Sequence, residues 1–255
     1  MGLSMATAGM WVERWERQQR HYALDREERF AVIADATEHL CADRDRPLLL
    51  DLGCGPGSLS ARLARRLPDA EIVAVDLDPV LLELGRTHHS DAARYVDAVI
   101  GEDGWTDALR LDRQVDVAVT TTALHYLPAD VLSRTYRALA AVLRPGGALV
   151  NGDHFPPDGA ACSDLTAHVG LRRAERSGGH GPEDEDWGAW WRAAAADPEL
   201  ADLFQEREKS LPPAGHGNRH LSVERHTELL RTTGFAHVTT VWQVGDSRVL
   251  VAQKG

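Results

Sequence analysis

A chain of 255 residues, 43% hydrophobic and 26% charged, has the make-up of an ordinary folded domain and can bury a large core without staples. Its net charge of −11 opposes binding through nucleic-acid phosphates, which rests on clustered Lys and Arg, and favours a small-molecule partner. Cys41, Cys54 and Cys162 form no C-x-x-C pair, no apolar run reaches the ~20 residues of a membrane span, and the first ten residues lack a signal-peptide build, so a cytoplasmic, disulfide-free protein with no membrane or nucleic-acid partner is expected.

Residues 11–40 contain neither Pro nor Gly, and Trp11 and Trp15, then Phe30, Ile33 and Ala34, recur at helical spacings. The segment reads as two amphipathic helices, and residues 1–42 are expected to cover a ligand cleft. Tyr22, between the helices, either closes over that cleft or packs like its aromatic neighbours. A polar turn over 43–47 leads into the apolar run Leu48–Leu52, a buried strand that breaks into Gly53, Gly55 and Gly57. Glycine tolerates positive φ and close backbone approach to a ligand, and the helix predicted from Ser58 to Leu67 offers free N–H groups at its start. Leu59 and Leu63 should face the sheet, and Pro68 stops the helix. The next apolar strand, from Glu71, ends in Asp76, a carboxylate placed to accept the hydroxyls of a ribose.

The glycine spacing decides between nucleotide-like ligands. A dinucleotide fingerprint G-x-G-x-x-G needs a third glycine at position 58, which is Ser58. The pattern present, Asp51-Leu52-Gly53-Cys54-Gly55-Pro56-Gly57 followed by Asp76, resembles the first two motifs of the class I S-adenosylmethionine (SAM) dependent methyltransferases. The resemblance implies an α/β fold with a doubly wound, mostly parallel seven-stranded sheet and an antiparallel last strand, SAM as cofactor, and a small-molecule substrate. It puts Asp51, Gly53, Gly55 and Gly57 in the cofactor loop, Asp76 at the ribose and Leu77 against adenine. Asp78 reads as the N-cap of a helix from Pro79 to about Thr87.

A third strand is expected from Arg94 to Ile100. Where the family usually carries an aspartate for the adenine amino group, alignment on the turn before Trp105 places Val99. Either Asp97, Glu102 or Asp103 supplies the acceptor, or the backbone at Val99 and Ile100 holds the base. The fourth strand, Val115–Val119, runs into Thr120, Thr121 and Thr122, then His125 and Tyr126. Hydroxyls at the tip of a buried strand are costly unless they line a cleft. By resemblance, Thr120 and Thr121 contact the methionine part of SAM, and His125 and Tyr126 approach the transferred methyl.

A helix to Leu143 and the turn Arg144-Pro145-Gly146-Gly147 precede strand five, Ala148–Val150. Residues 43–155 and 222–255 should form the Rossmann-like domain, with 156–221 a helical insertion that caps the substrate. In it, Trp187, Trp190 and Trp191 share a helical face and either pack the cap or line an aromatic pocket. A last helix, Glu224–Thr233, stopped by Gly234, leads to a hairpin, Val238–Val244 and Arg248–Val251.

A sulfonium methyl is already activated, so the protein must chiefly align a nucleophile and exclude water. A base is needed for a hydroxyl acceptor. His125 and His154, at strand ends, are the candidates, with Tyr126 orienting or shielding, though a purely structural histidine is an equal reading of His125. Asp153 and His154 with His168, His180, His216 and His220 show no metal spacing, and no metal is expected. The expected function is methyl transfer to a small, apolar or aromatic molecule, O-methylation ahead of N- or C-methylation. SAM-assisted cyclisation or decarboxylation, and a non-catalytic partner role, are the alternatives; a homodimer is compatible with all three.

Overall fold

The computed structural model describes residues 2–22, 25–176, 185–210 and 221–255. Helices α1 (Met5–Tyr22) and α2 (Arg26–Leu40) lead into β1 (Leu48–Leu52), α3 (Ser58–Arg66), β2 (Glu71–Asp76), α4 (Pro79–His88) and β3 (Arg94–Asp97). The short α5 (Trp105–Ala108), β4 (Val115–Thr121), α6 (Ala129–Val142) and β5 (Leu143–His154) follow. Then come α7 (Ala160–Arg176), α8 (Trp187–Ala195), α9 (Ala201–Ser210) and α10 (Val223–Thr232), and finally the hairpin of β6 (Phe235–Val244) and β7 (Ser247–Lys254).

The strands form a seven-stranded sheet in the order β3-β2-β1-β4-β5-β7-β6. Only β7 runs against its neighbours, as the sequence leads one to expect. Every residue of β1 is buried, because helices cover both faces of a parallel sheet and its strands become continuous apolar runs. Alternation along the strands sorts side chains between two layers. On one face Leu49, Val117, Val119 and Val150 meet Phe30 and Ile33 of α2 and Leu59 and Leu63 of α3. On the other, Leu50, Leu52, Val73 and Leu149 meet Trp105, Leu132, Tyr136, Leu139, Leu229 and Leu230 from α5, α6 and α10.

Helix α2 thus belongs to the central layer, whereas α1 lies on α4. Ala8, Trp11, Val12 and Trp15 make one apolar stripe along α1 and pack with Val80, Leu81 and Leu84 of α4 and Trp190 and Ala194 of α8. The inserted segment is helical where described, and α8 and α9 join α1 and α4 rather than adding strands. Residues 177–184 and 211–220, which include His180, His216 and His220, and the side chain of Tyr22 lie outside the described residues. Among the described residues no helix is long and apolar enough to cross a membrane.

The strand limits differ from the sequence reading, β3 being shorter and β4 to β7 longer. β3 ends at Asp97, three residues before Ile100, where its partner β2 ends at Asp76 and Ala98 N–H makes the last ladder bond to the Asp76 carbonyl (3.1 Å). β5 begins at Leu143 and takes in the Pro-Gly-Gly turn, with the extra length absorbed by a register shift between Val115 and Val117 of β4. Buried Asp116 anchors this corner: it accepts Leu48 N–H (2.8 Å) and Arg144 Nε (2.7 Å) and pairs with Arg44 (3.0 Å). Asp116→Ala orphans a buried N–H and two guanidinium partners, and should cost about 3 kcal/mol. Urea denaturation should show a lower midpoint at unchanged slope.

Candidate active site

The glycine loop sits where the strand order reverses between β1 and its neighbours β2 and β4, the place open α/β sheets hold ligands. Gly53, Gly55 and Gly57 all have positive φ (65°, 53° and 83°). Space as well as torsion requires two of them. A Cβ at Gly53 would lie 2.3 Å from Ala123 Cβ, and one at Gly57 2.2 Å from Tyr95 Oη. Asp76 locks the loop to the neighbouring strand: Oδ2 accepts Gly55 N–H (2.7 Å), and Oδ1 accepts Leu77 N–H (2.8 Å) and Asp78 N–H (3.0 Å). Burial raises its pKa, and the backbone donors oppose that. A carboxylate has about four acceptor sites, so room for one more donor is left on Oδ2.

Asp51 and Thr120 brace this arrangement from inside. Asp51 Oδ2 accepts Ser60 Oγ–H (2.6 Å), and Thr120 Oγ–H donates to the Leu52 carbonyl (2.8 Å). Burial pushes the Asp51 carboxyl up to about 7, with the hydrogen bond from Ser60 lowering it and the charge of Asp76 adding to the rise.

Several buried polar atoms around the loop have no hydrogen-bond partner among the described residues. They are both amide atoms of Gln18, Thr121 Oγ1 and Ser58 Oγ, the last lying beside the Glu16 carboxylate, whose pKa it helps to lower. Trp15 of α1 comes within 3.8 Å of a Cβ built on Gly55, and Gln18 is one turn further along the same helix face. Ser58 opens α3 behind Gly57, with no side-chain cap on the helix. Unsatisfied groups of this kind, beside a cradle of glycines and a helix start, fit the charged amino-acid end of a ligand.

Leu77 follows Asp76 at the edge of the crevice and is half-buried. Val99 is 40% exposed, whereas the Ile100 side chain turns into the core beside Trp105. Trp105 is a packing residue between sheet and helices. Asp97, Glu102 and Asp103 are exposed.

The far wall comes from the ends of β4 and β5. Thr122 adopts positive φ (49°), unusual for a β-branched residue, while its N–H bonds to the Gly152 carbonyl (3.0 Å). This kink sets Ala123 on Gly53 and starts a 3₁₀ turn, Leu124–Tyr126. His125 is buried on that turn, with Nδ1 2.8 and 3.1 Å from the Asp153 carboxylate oxygens. Burial alone would raise the Asp153 pKa. The hydrogen bond and charge of His125, His154 N–H (2.8 Å to Oδ1) and the charge of Arg29 outweigh it and hold the carboxyl below its ordinary value. An anion facing Nδ1 makes that nitrogen a donor.

Tyr126 stacks obliquely on His125, ring centres 4.1 Å apart, and burial with the charge of Asp153 raises its phenol pKa. His154 is partly exposed, with Nδ1 3.3 Å from Asp246 Oδ1. The structure therefore gathers His125, Tyr126 and His154 around Asp153, which the sequence reading had not named as a catalytic-site residue.

Residues 49–147 match a family model described as a methyltransferase domain. Over that segment the chain is similar to methyltransferase domains. It is similar to trans-aconitate 2-methyltransferase of Methylobacterium radiotolerans, 36% identical over 104 residues, covering 40% of this chain and 36% of the relative. The corresponding Mycobacterium tuberculosis protein is 38% identical over 95 residues, 36% and 33% of the two chains. The matches thus span about a third of these relatives' length.

Among solved structures, an O-methyltransferase family protein from Burkholderia thailandensis aligns with TM-score 0.61 at 17% identity, covering 100% of this chain and 64% of that one. Magnesium protoporphyrin IX methyltransferase from Synechocystis, solved with bound S-adenosylhomocysteine (SAH), aligns with TM-score 0.54 at 18% identity, covering 96% and 94%. At such identities the likeness is one of fold.

Within this site the glycine loop and Asp76 were legible from the motif. Gln18, Asp153 and Arg29 were not, although a carboxylate at the tip of β5 beside His154 was a usable signal. Among the described residues no group of three metal-ligating side chains converges, and His168 is exposed. Asp51, whose folded pKa exceeds the ~3.9 of an unfolded chain, favours the fold most below about pH 4, and that contribution is lost as pH rises through about 7. Asp51→Asn keeps an acceptor for Ser60 and removes the titration. Its melting temperature should fall less between pH 5 and 8 than that of the wild type, by scanning calorimetry.

Proposed function

We propose that this chain transfers a methyl group from SAM to an oxygen of a small molecule, with His125 as the base and Asp153 as its positioning residue. The observation that carries this reading is the contact of Ala123 with Gly53, which sets a buried His–Asp pair two residues away from the cofactor loop. SAM, when bound, supplies a methyl group activated by the sulfonium. The backbone of Gly53–Gly57 with Gln18, Ser58 and Thr121 would hold its amino-acid end, Asp76 a ribose hydroxyl, and Leu77 and Val99 the adenine.

His125 Nε2 would take the proton of the acceptor hydroxyl as its oxygen forms the new bond to the methyl carbon of bound SAM, the S–C electron pair remaining on sulfur as the neutral thioether of SAH. The imidazolium that results is stabilised by Asp153, which stays anionic because its neighbours hold its pKa down. Tyr126 stacks on one side of the His125 ring at this edge.

The tryptophans that suggested an aromatic substrate are used in packing. Trp190 is fully buried, and Trp15 meets Trp187, Trp190 and Trp191 at ring separations of 5.2, 5.0 and 6.3 Å. The wall around His125 is polar, and relatives named for trans-aconitate agree with a polar acceptor rather than an apolar one. With a substrate in hand, mass spectrometry should show a methylated product. His125→Gln should lower kcat about 10²- to 10⁴-fold, the usual contribution of a positioned base, and Asp153→Asn should lower kcat more than it raises KM. Full activity in His125→Gln would remove the base from the account.

A further inference from the structure

Arg29 of α2 is 1% exposed, and its hydrogen bonding is incomplete. Its Nε has no partner among the described residues, and Nη1 reaches only the neutral Ser247 hydroxyl, at 3.4 Å. The stem lies across Gly152, where a Cβ would come within 3.1 Å of its Cγ and Cδ. The head therefore stands at the tips of β5 and β7, where Ser247 is the register partner of His154.

Asp153, Asp25 and Asp246 surround it, opposed by Arg26, and burial pulls the guanidinium down to about 10. Yet among the described residues no carboxylate oxygen comes within 4.0 Å of it. Each of the three is engaged elsewhere: Asp153 by His125, Asp246 by His154, and Asp25 by Arg173 of α7. A guanidinium has five donors and no way to shed its charge near neutral pH. A buried guanidinium with an unmatched Nε needs a further acceptor, and its planar fork matches a carboxylate. Three neighbouring aspartates make the corner suited to a singly charged anion rather than a doubly charged phosphate.

We infer that Arg29 anchors a carboxylate of the methyl acceptor, so that the substrate is a small hydroxy acid whose hydroxyl lies at His125. The inference rests on the methyl-transfer reading and narrows it. The alternative role for Arg29 is a fixed counter-charge to Asp153, which would be indifferent to the acceptor's charge.

The test is calorimetric titration of the full chain, saturated with SAH, with salicylate, 4-hydroxybenzoate and malate, each against its neutral amide. At least one acid should bind the wild type about tenfold or more tighter than its amide, a difference readily resolved in Kd. Arg29→Gln should abolish that preference while SAH binds within about twofold of wild type; Arg29→Lys, which keeps the charge without the fork, should retain part of it. The inference is overturned if no acid outbinds its amide on the wild type, a result that does not depend on any variant folding. It is equally overturned if Arg29→Gln keeps the preference. Failure of SAH to bind the wild type would overturn the methyl-transfer reading, and this inference with it.

Discussion

One carboxylate ties the crevice together. Asp76, at the tip of β2, receives the N–H of Gly55 from the adjoining loop and those of Leu77 and Asp78 from its own turn. A buried acid is stabilised by such donors and positioned by them. The loop after β1 is thereby held in a left-handed course that only glycine adopts without strain. Asp51 and Thr120 reinforce it from behind, and Ala123 presses on Gly53 from the β4 side. The result is a rigid floor between two strand ends, with polar atoms of Gln18, Ser58 and Thr121 around it.

The second constraint is electrostatic and sits one strand over. β5 ends in Asp153 and His154, and the carboxylate binds both the ring of His125 and the N–H of its own neighbour. Arg29 approaches from α2 because Gly152 leaves room for its stem. A helix that forms part of the sheet's apolar cover thus delivers a charge to the edge where chemistry occurs. Low-dielectric surroundings strengthen each of these interactions and make incomplete pairing costly.

Much of this was legible in the sequence because the informative features are local. Five consecutive buried residues in β1, glycines at alternate positions and an acid at the end of the next strand specify a turn and its chemistry within thirty residues. Asp78 reads as an N-cap from its proline neighbour, and its side chain indeed accepts from Val80 and Leu81. What sequence reasoning missed depends on distant segments meeting. Asp153 becomes a partner of His125 only across 28 residues, and Arg29 looks like any surface arginine of an amphipathic helix until β5 and β7 lie beneath it. The strand limits at Asp97 and Leu143 were hidden for a similar reason, since the first goes with the end of its partner β2 and the second with register against β4. The tryptophans of α8 found partners in α1, more than 170 residues earlier, which no local pattern announces.

The central claim is geometric, and a crystal structure of the chain with SAH tests it most directly. The account predicts the homocysteine end over Gly53–Gly57 within reach of Gln18 and Ser58, with a ribose hydroxyl on Asp76 Oδ2. SAH bound away from this loop, or lying there with its ribose out of reach of Asp76, would contradict it.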